Sequence, residues 1–417
     1  LSQMSPPTGE IKSIQPASRP PLEGKAVVLG VTGSIAAYKA ADLASKLVQA
    51  GAGIDVVLTT AATEFVGATT FEALTHRPVT TGLWQAHSEM SIDHVALALR
   101  ADCVLIAPAT ANTLAKLALG IADDPLTATV LATEAPVIVA PAMDADMFAS
   151  PATQRNVETL ENDGVVIAGP TSGRLASGLI GKGRLIDNEV LVGLVRQAVG
   201  RHGDYAGRRV IVSAGGTRQP IDPVRFISNR SSGKMGYAIA EAARDRGADV
   251  TLVSAAGMPD PAGIKVVKAS TVDEMRNAIV PSSSSADLLV MAAAISDFTP
   301  ARVSDQKIKK QGSGGMTLEL AQVEDFMPQA HGRYLVKVAF AAETSNVETN
   351  AAAKAAPKGA AFVVANDVSE PGSGFGTDAN RVTFVDAAGN SEALPLMAKL
   401  DVAHAILDRA LPLLKAH

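Results

Sequence analysis

The sequence predicts an α/β protein built from two doubly wound domains, each on a mainly parallel sheet. Three observations carry that prediction. Short β-branched runs recur, and each ends in a glycine or small-residue turn that leads into an amphipathic helix. Hydrophobic residues make up 47 % of the chain and aromatics only 4 %, so the core is Ala, Val, Leu and Ile, as in sheets covered by helices. The length of 417 residues suits two domains.

The composition excludes several classes. A net charge of −5 argues against a nucleic-acid or anionic-membrane surface. The lone cysteine, Cys103, rules out an intramolecular disulfide framework and fits a reducing cytosol. Cys103 sits inside an apolar run and reads as a small buried hydrophobe. No apolar run reaches the length that spans a bilayer. Residues 1–22 are rich in Pro and Ser and read as a disordered tail; the first residue is Leu, so the native start is expected to be missing.

The stretch from Arg208 to Ser254 organises the second half. A β-branched run ends in Gly215-Gly216, and a second such run ends at Ser254. Between them lies a helix with Met235, Ile239 and Ala242 on one face, closed by Gly247. This β-α-β unit has a long loop after its first strand. The loop carries Asp222, Arg225, Asn229 and Arg230 and ends in Ser231-Ser232-Gly233-Lys234. Two readings of that ending stand side by side: a plain helix cap, or backbone N–H groups and a lysine awaiting a phosphate. The length of the loop favours the second.

The first half opens with a similar unit: a strand at 25–30, a helix at 35–50, and a strand at 55–60 ending in Thr59-Thr60. A nicotinamide dinucleotide site is disfavoured. The turn reads Gly30-x-x-Gly33 rather than G-x-G-x-x-G, and Thr60 stands where a ribose-binding acid belongs. A mononucleotide phosphate held by Ser34, Thr60 and backbone N–H groups fits better. His94 falls near the start of a helix, either as filler or as a catalyst. The strand 102–107 leads into Pro108, Thr110 and Asn112, a hydroxyl-bearing loop at a ligand edge. The strand 135–140 leads into Met143 and Asp144. A glycine-punctuated loop, 173–184, is a lid or a linker. A helix at 188–199 closes the first domain, and 200–207 is a linker.

In the second domain, strands are expected at 287–294, 335–342 and 361–366, with a hairpin at 381–392. A C-terminal helix at 396–410 has Pro395 in its first turn and Pro412 at its end. Lys307 to Lys310 precede a flexible flap, 311–315, and read either as a solvated run or as a phosphate contact.

Together these pieces resemble the bacterial bifunctional phosphopantothenoylcysteine decarboxylase/phosphopantothenate–cysteine ligases. The first domain, 23–199, is similar to flavodoxin-like flavin-containing cysteine decarboxylases through Gly33-Ser34-Ile35-Ala36-Ala37-Tyr38-Lys39, His94, APATANTLAKLALGIADD and PAMDADM. The second, 208–417, is similar to the ligase through SAGGTRQPIDPVRFISNRSSGKMG, MAAAISDF, KIKK, AFAAET and VVAND.

The resemblance implies two reactions. The second domain would join 4'-phosphopantothenate to L-cysteine with CTP and Mg²⁺, through an acyl-cytidylate. The first would then decarboxylate the product with FMN. It implies FMN contacts at Gly33, Ser34, Thr60, Pro108, Thr110 and Asn112. CTP contacts would be Ser232, Gly233, Lys234, Asp297, Lys307, Asp325, Phe340, Lys354 and Lys358. Substrate would meet Arg225, Asn229, Met143 and Asp144. Catalysis would rest on His94, Asp144, Ser177, Asn229 and Lys307. It also implies a cytoplasmic homo-oligomer. Two positions depart from the common pattern: Asp144 stands where many members have Asn, and Ser177 stands where a proton-donating cysteine is found. A partly buried Asp144 that keeps its proton to higher pH is therefore expected to replace the thiol acid, the alternative being a carboxylate that only hydrogen-bonds its surroundings. Two further functional readings are a nicotinamide oxidoreductase and a non-catalytic flavoprotein regulatory subunit.

Overall fold

The structure, a computed structural model, describes residues 20–83, 93–309, 316–343, 347–367, 374 and 376–415. The expected tail thus lies outside it up to residue 19, as do Lys310 and the flap, 311–315. Leu22 is already core: it is buried, and its amide donates to the Ala50 carbonyl at 2.8 Å. The tail boundary at residue 22 is therefore too late.

The first domain runs β1 (Ala26–Val31), α1 (Lys39–Gln49), β2 (Gly53–Leu58), α2 (Thr60–Thr63), α3 (Ala68–Thr75), α4 (Asp93–Arg100), β3 (Cys103–Ala109), α5 (Ala111–Ala118), α6 (Pro125–Ala132), β4 (Val137–Pro141), α7 (Ala145–Ala149), α8 (Pro151–Asn162) and β5 (Val166–Ile167). A hairpin of β6 (Thr171–Arg174) and β7 (Ile180–Arg184) follows, then α9 (Asn188–Gly200). The sheet is parallel in the order β2-β1-β3-β4-β5. Its strands are buried on both faces, which explains their unbroken apolar runs. Helix α1 covers one face with Ala40, Leu43, Ala44 and Leu47, at the spacing of one helical stripe.

Three expectations change here. The first helix is split, with a 3-10 turn at Ile35–Tyr38 before α1. The second strand stops at Leu58; Thr59 caps α2 by accepting from the Ala62 amide, which puts Thr60 inside a helix. The loop 173–184 is neither a loose lid nor a linker but the β6–β7 hairpin.

The second domain holds β8 (Arg209–Ala214), the hairpin β9 (Arg218–Pro220) and β10 (Phe226–Ser228), α10 (Lys234–Asp245), β11 (Asp249–Ser254), β12 (Lys265–Lys268), α11 (Val272–Ser283) and β13 (Leu288–Met291). After these come β14 (Phe298–Pro300), β15 (Leu320–Gln322), β16 (Val336–Glu343), α12 (Val347–Lys358), β17 (Phe362–Asp367), β18 (Ala379–Asn380), β19 (Val382–Asp386), β20 (Ser391–Ala393) and α13 (Lys399–Ala410). The main sheet has the order β12-β11-β8-β13-β16-β17-β19-β20, parallel up to β17 and antiparallel beyond. The strand expected at 287–294 ends at Met291, and the last helix begins at Lys399, so Pro395 lies ahead of it.

The segment 200–207 is packed rather than free. Tyr205 is fully buried, its hydroxyl donates to the Leu407 carbonyl at 2.6 Å, and the Arg246 guanidinium lies 4.9 Å from its ring centre. Ahead of it, Arg196 of α9 donates to Glu241 at 3.2 Å and to Asp245 on α10. A cut at Ala206 would thus remove a core side chain from the second domain. Replacing such an aromatic by Ala costs about 3–5 kcal/mol, and at a few degrees per kcal/mol Tyr205→Ala should lower the second domain's unfolding temperature by roughly 10 °C. Calorimetry of the full chain measures this; an unchanged transition would place Tyr205 outside the cooperative core.

Candidate functional site

Each parallel sheet has one place where neighbouring connections leave in opposite directions. In the first it lies between β1 and β3, in the second between β8 and β13. At such a reversal the loops diverge and a crevice opens at the carboxyl ends of the strands. Both crevices are present.

The first is a cleft of about 680 Å³ lined by Gly33, Ser34, Thr110, Met143, Asp144 and Ser177, among others. That volume falls in the range of small-molecule sites, about 300–1,000 Å³. Its floor is tied together by hydroxyls. Thr32 donates from Oγ1 to the Pro108 carbonyl at 2.8 Å and accepts from the Thr110 amide at 3.0 Å, locking the β1 turn to the β3 turn. Thr110 then caps α5 by accepting from the Thr113 amide. Ser34 accepts from the Ala36 amide and reaches the Ala142 carbonyl at 3.4 Å.

Hairpin β6–β7 forms the far wall. Gly183 makes that docking possible, because a Cβ there would stand 2.2 Å from the Met143 carbonyl oxygen. The Met143 amide donates to the Gly183 carbonyl at 3.0 Å. Across the same seam, the Ser177 hydroxyl donates to Asp144 Oδ2 at 2.6 Å, while Asp144 Oδ1 caps α7 by accepting from the Asp146 amide. These two bonds, the Ser177 one foremost, hold the Asp144 carboxyl below the usual carboxylate range. The raised value expected of Asp144 is thus reversed, since its hydrogen bonds outweigh its desolvation. The alternative of a hydrogen-bonded carboxylate describes what is seen.

Other residues assigned to this site fall outside the lining. Thr60 is exposed on α2, Asn112 is exposed on α5, and Pro108 contributes through its carbonyl. His94 starts α4, and among the described residues it does not line the cleft of its own chain. Burial pushes the Cys103 thiol up to about 12, so it carries no acid–base chemistry here. Arg174, Arg184, Tyr38 and Lys39 also line the cleft, and the sequence reading had not singled out any of them as site residues.

The second crevice is narrower, about 110 Å³. Its lining includes Ser231, Ser232, Gly233, Lys234, Phe340 and Lys399. Gly233 begins α10 with φ +82°, a left-handed conformation that favours glycine. It offers the helix no side-chain cap, and Ser232 reaches only the Lys234 amide, at 3.5 Å. Among the described residues, the opening N–H groups of α10 therefore face the crevice largely unpaired, as an anion site requires. Lys234 donates to Asp378 at 2.7 Å and to the Gly376 carbonyl at 3.1 Å. Beside the crevice, Asn229 Nδ2 donates to the carbonyls of Ala294 and Ile295 at 3.4 and 3.0 Å.

The remaining assigned residues are placed elsewhere. Arg225 clamps its own loop: it donates to Asp222 at 3.0 and 2.5 Å and to the Ile308 carbonyl at 2.6 Å, while the Ile308 amide donates to Asp222. Burial opposes ionisation of Asp222, but the Val224, Ile308 and Arg225 amides and the Arg225 guanidinium prevail and hold its carboxyl well below the usual range. Arg225 is thus structural here, steadying the segment that carries the exposed Lys307. Asp325 pairs with Lys358, and Lys354 with Glu343 at 2.5 Å. Neither pair, nor Asp297, lines the crevice. Among the described residues, no group of three or more His, Cys, Asp or Glu is placed to hold a metal ion, and no helix is long and apolar enough to cross a membrane.

Two parallel-sheet domains, one with a small-molecule cleft and one with a crevice at a helix start, define a two-domain α/β protein with a candidate ligand site in each half. Comparison with known proteins makes this specific. Residues 16–200 match the family described as Flavoprotein, and residues 205–413 match the DNA/pantothenate metabolism flavoprotein C-terminal domain. The chain is 44 % identical over 400 residues to the coenzyme A biosynthesis bifunctional protein CoaBC of Bacillus subtilis (strain 168), covering 94 % of this chain and 98 % of that one. It is 44 % identical to the protein of the same name from Mycobacterium tuberculosis (strain ATCC 25618 / H37Rv), covering 92 % and 96 %. A solved C-terminal domain of a CoaBC protein is 34 % identical with a TM-score of 0.42, covering 49 % of this chain and 95 % of that one. The FMN-dependent cysteine decarboxylase SpaF is 37 % identical with a TM-score of 0.38, covering 42 % and 98 %. The chain belongs to the family of bifunctional coenzyme A biosynthesis proteins. It is a bifunctional enzyme, a flavoprotein decarboxylase joined to a ligase.

The Ser177–Asp144 bond makes a direct prediction. Removing the donor with Ser177→Ala takes away the largest stabilisation of the carboxylate, so the Asp144 carboxyl should titrate at higher pH than in the parent. Carbon NMR of the Asp144 carboxyl across pH 2–6, about the range where carboxylates titrate, reads this; an unmoved titration would show that the bond is absent in solution.

Proposed function

We propose that the second domain joins 4'-phosphopantothenate to L-cysteine at the expense of CTP, and that the first decarboxylates the product with FMN. The observation that carries the reading is the pair of strand-order crevices, one with an uncapped helix end and a lysine, the other with a hydroxyl-tied floor.

In the ligase half, the α10 N-terminus and Lys234 take the triphosphate, whose phosphates carry the Mg²⁺. Lys307, on the loop steadied by Arg225 and Asp222, offers a second cation. Asn229, held at the end of β13, presents its amide to the activated acyl group. The cysteine amine then displaces CMP. Asp297, Asp325, Phe340, Lys354 and Lys358 belong to the nucleotide side of this reading.

In the decarboxylase half, the β1–β3 crevice fits a flavin mononucleotide, with the Ser34 turn and the α5 N-terminus at its floor and hydroxyls in place of acids near the phosphate. Bound FMN supplies a hydride acceptor, which makes loss of CO₂ possible by giving the electrons a place to go. Met143 and the Ser177–Asp144 pair hold the cysteine end of the substrate. Asp144, ionised and accepting from Ser177, accepts protons rather than giving them; the reductive half must draw its proton from water or Lys182. His94 serves the oxidative half from outside its own chain's cleft. Leu99 and Leu131, both exposed on the neighbouring helices α4 and α6, favour self-association that would bring His94 to another copy's cleft. The setting is cytoplasmic.

A coupled assay with 4'-phosphopantothenate, L-cysteine, CTP and Mg²⁺ tests the whole reading: pyrophosphate, CO₂ and 4'-phosphopantetheine should appear together, and their absence would overturn it. Asn229→Asp sets a carboxylate against the Ala294 and Ile295 carbonyls and should block displacement of CMP by cysteine, with pyrophosphate still released and the flavin spectrum intact. Ser177→Cys should raise the rate of saturated-thiol formation relative to CO₂ release by about tenfold or more, because a thiol is the stronger acid. An unchanged ratio would remove position 177 from the proton path.

A further inference from the structure

A buried lysine in the wall of the second crevice belongs to none of the assigned roles. Lys399 opens α13 and is only 7 % exposed. Among the described residues its ammonium meets no carboxylate within bonding distance. Instead it donates to the carbonyls of Gly374 at 3.2 Å and Ala379 at 3.5 Å, to Thr377 Oγ1 at 3.3 Å, and to the Thr377 carbonyl. A buried ammonium needs such partners, and the carbonyls in turn need it. Burial, and then the charge of Lys234, push the Lys399 ammonium below the usual lysine range.

The segment that Lys399 gathers is the one that faces Lys234. Lys234 donates to the Gly376 carbonyl and pairs with Asp378, so one turn is held by a cation on each side. The turn is pinned at a third point where Ala379 and Asn380 pair with Ala398 and Met397, immediately ahead of Lys399. Asn380, itself buried, accepts from the Gly374 amide at 3.1 Å.

We propose that Lys399 is a positioning residue for nucleotide binding: its buried ammonium fixes the turn that engages Lys234 and so sets where that cation meets a polyphosphate at the start of α10. The proposal rests on the nucleotide reading of the second crevice. Lys399 acts through the turn and through Lys234, and is not itself a catalytic residue.

The test uses the full chain, with Lys399→Met, which keeps the length and removes the donors, and Lys399→Arg, which restores a cation with several donors. Titration calorimetry with CTP and Mg²⁺ should show Kd raised about tenfold in Lys399→Met, the loss expected when buried acceptors lose their donor, and largely recovered in Lys399→Arg. Steady-state ligation should show the same loss in KM for CTP, with kcat moving less than about twofold, a split that general destabilisation would not give. Hydrogen exchange read without nucleotide should be faster at 376–380 in Lys399→Met and parental in α10. Parental exchange at 376–380 in Lys399→Met would overturn the proposal, as would parental CTP affinity with accelerated exchange. If the parent itself does not bind CTP, the nucleotide reading fails, and the exchange arm still decides whether Lys399 holds the turn.

Discussion

Everything functional in this protein depends on where parallel strands stop. A parallel strand must hand its chain to a crossover helix, and the strand order decides which face that helix takes. Where β1 lies between β2 and β3, and β8 between β11 and β13, successive crossovers part and leave an open edge. The helices that begin at that edge point their first N–H groups into it. The same constraint is used twice, with different chemistry at the two edges.

At the first edge the polar work of the floor is done by small hydroxyl side chains. Thr32, Ser34 and Thr110 tie three strand ends to one another, which leaves a rigid floor without buried charge. The charged groups sit across from it, on the hairpin and on the α7 cap. There the Ser177–Asp144 bond fixes a carboxylate at the cleft wall. At the second edge the charge is cationic and carried by lysines. It is balanced in the free protein by Asp378 and by main-chain carbonyls. A polyphosphate would compete with Asp378 for Lys234 on like terms, as oxygen anion against oxygen anion.

The two halves are docked, not strung. Arg196 of α9 reaches Glu241 and Asp245 of α10, and Arg244, 2 % exposed, donates to Asp245 and to the Ala262 carbonyl. At its other end α9 starts with Asn188, which donates to the Lys39 carbonyl and to Asp42 beside the first cleft. One helix thus touches both the wall of the first cleft and the helix whose start forms the second.

Much of the fold was legible in the sequence because it is local. Apolar runs bounded by Gly and Pro marked the strands, and small polar turns after them marked their carboxyl ends. Their order along the chain implied parallel sheets and placed Ser34, Thr110, Met143, Asp144 and Ser232–Lys234 at sheet edges. The sequence could not decide which loops fold back on one another. Gly173 to Arg184 reads as flexible because glycine is permissive anywhere, yet it is a hairpin pressed onto Met143. Asp144 reads as a candidate acid because burial alone would raise its carboxyl, yet a hydroxyl 33 residues away reverses the shift. Arg225 reads as a ligand contact, and its Nε and Nη2 are engaged by Asp222 and the Ile308 carbonyl. Lys399 reads as an ordinary member of an amphipathic helix at 396–410; only the packing of α13 against the turn at 376–380 buries it in the crevice. Local pattern determines elements and their edges, because backbone hydrogen bonding and side-chain period act over a few residues. The state of a charge depends on partners far along the chain, and the tertiary structure alone brings those partners within reach.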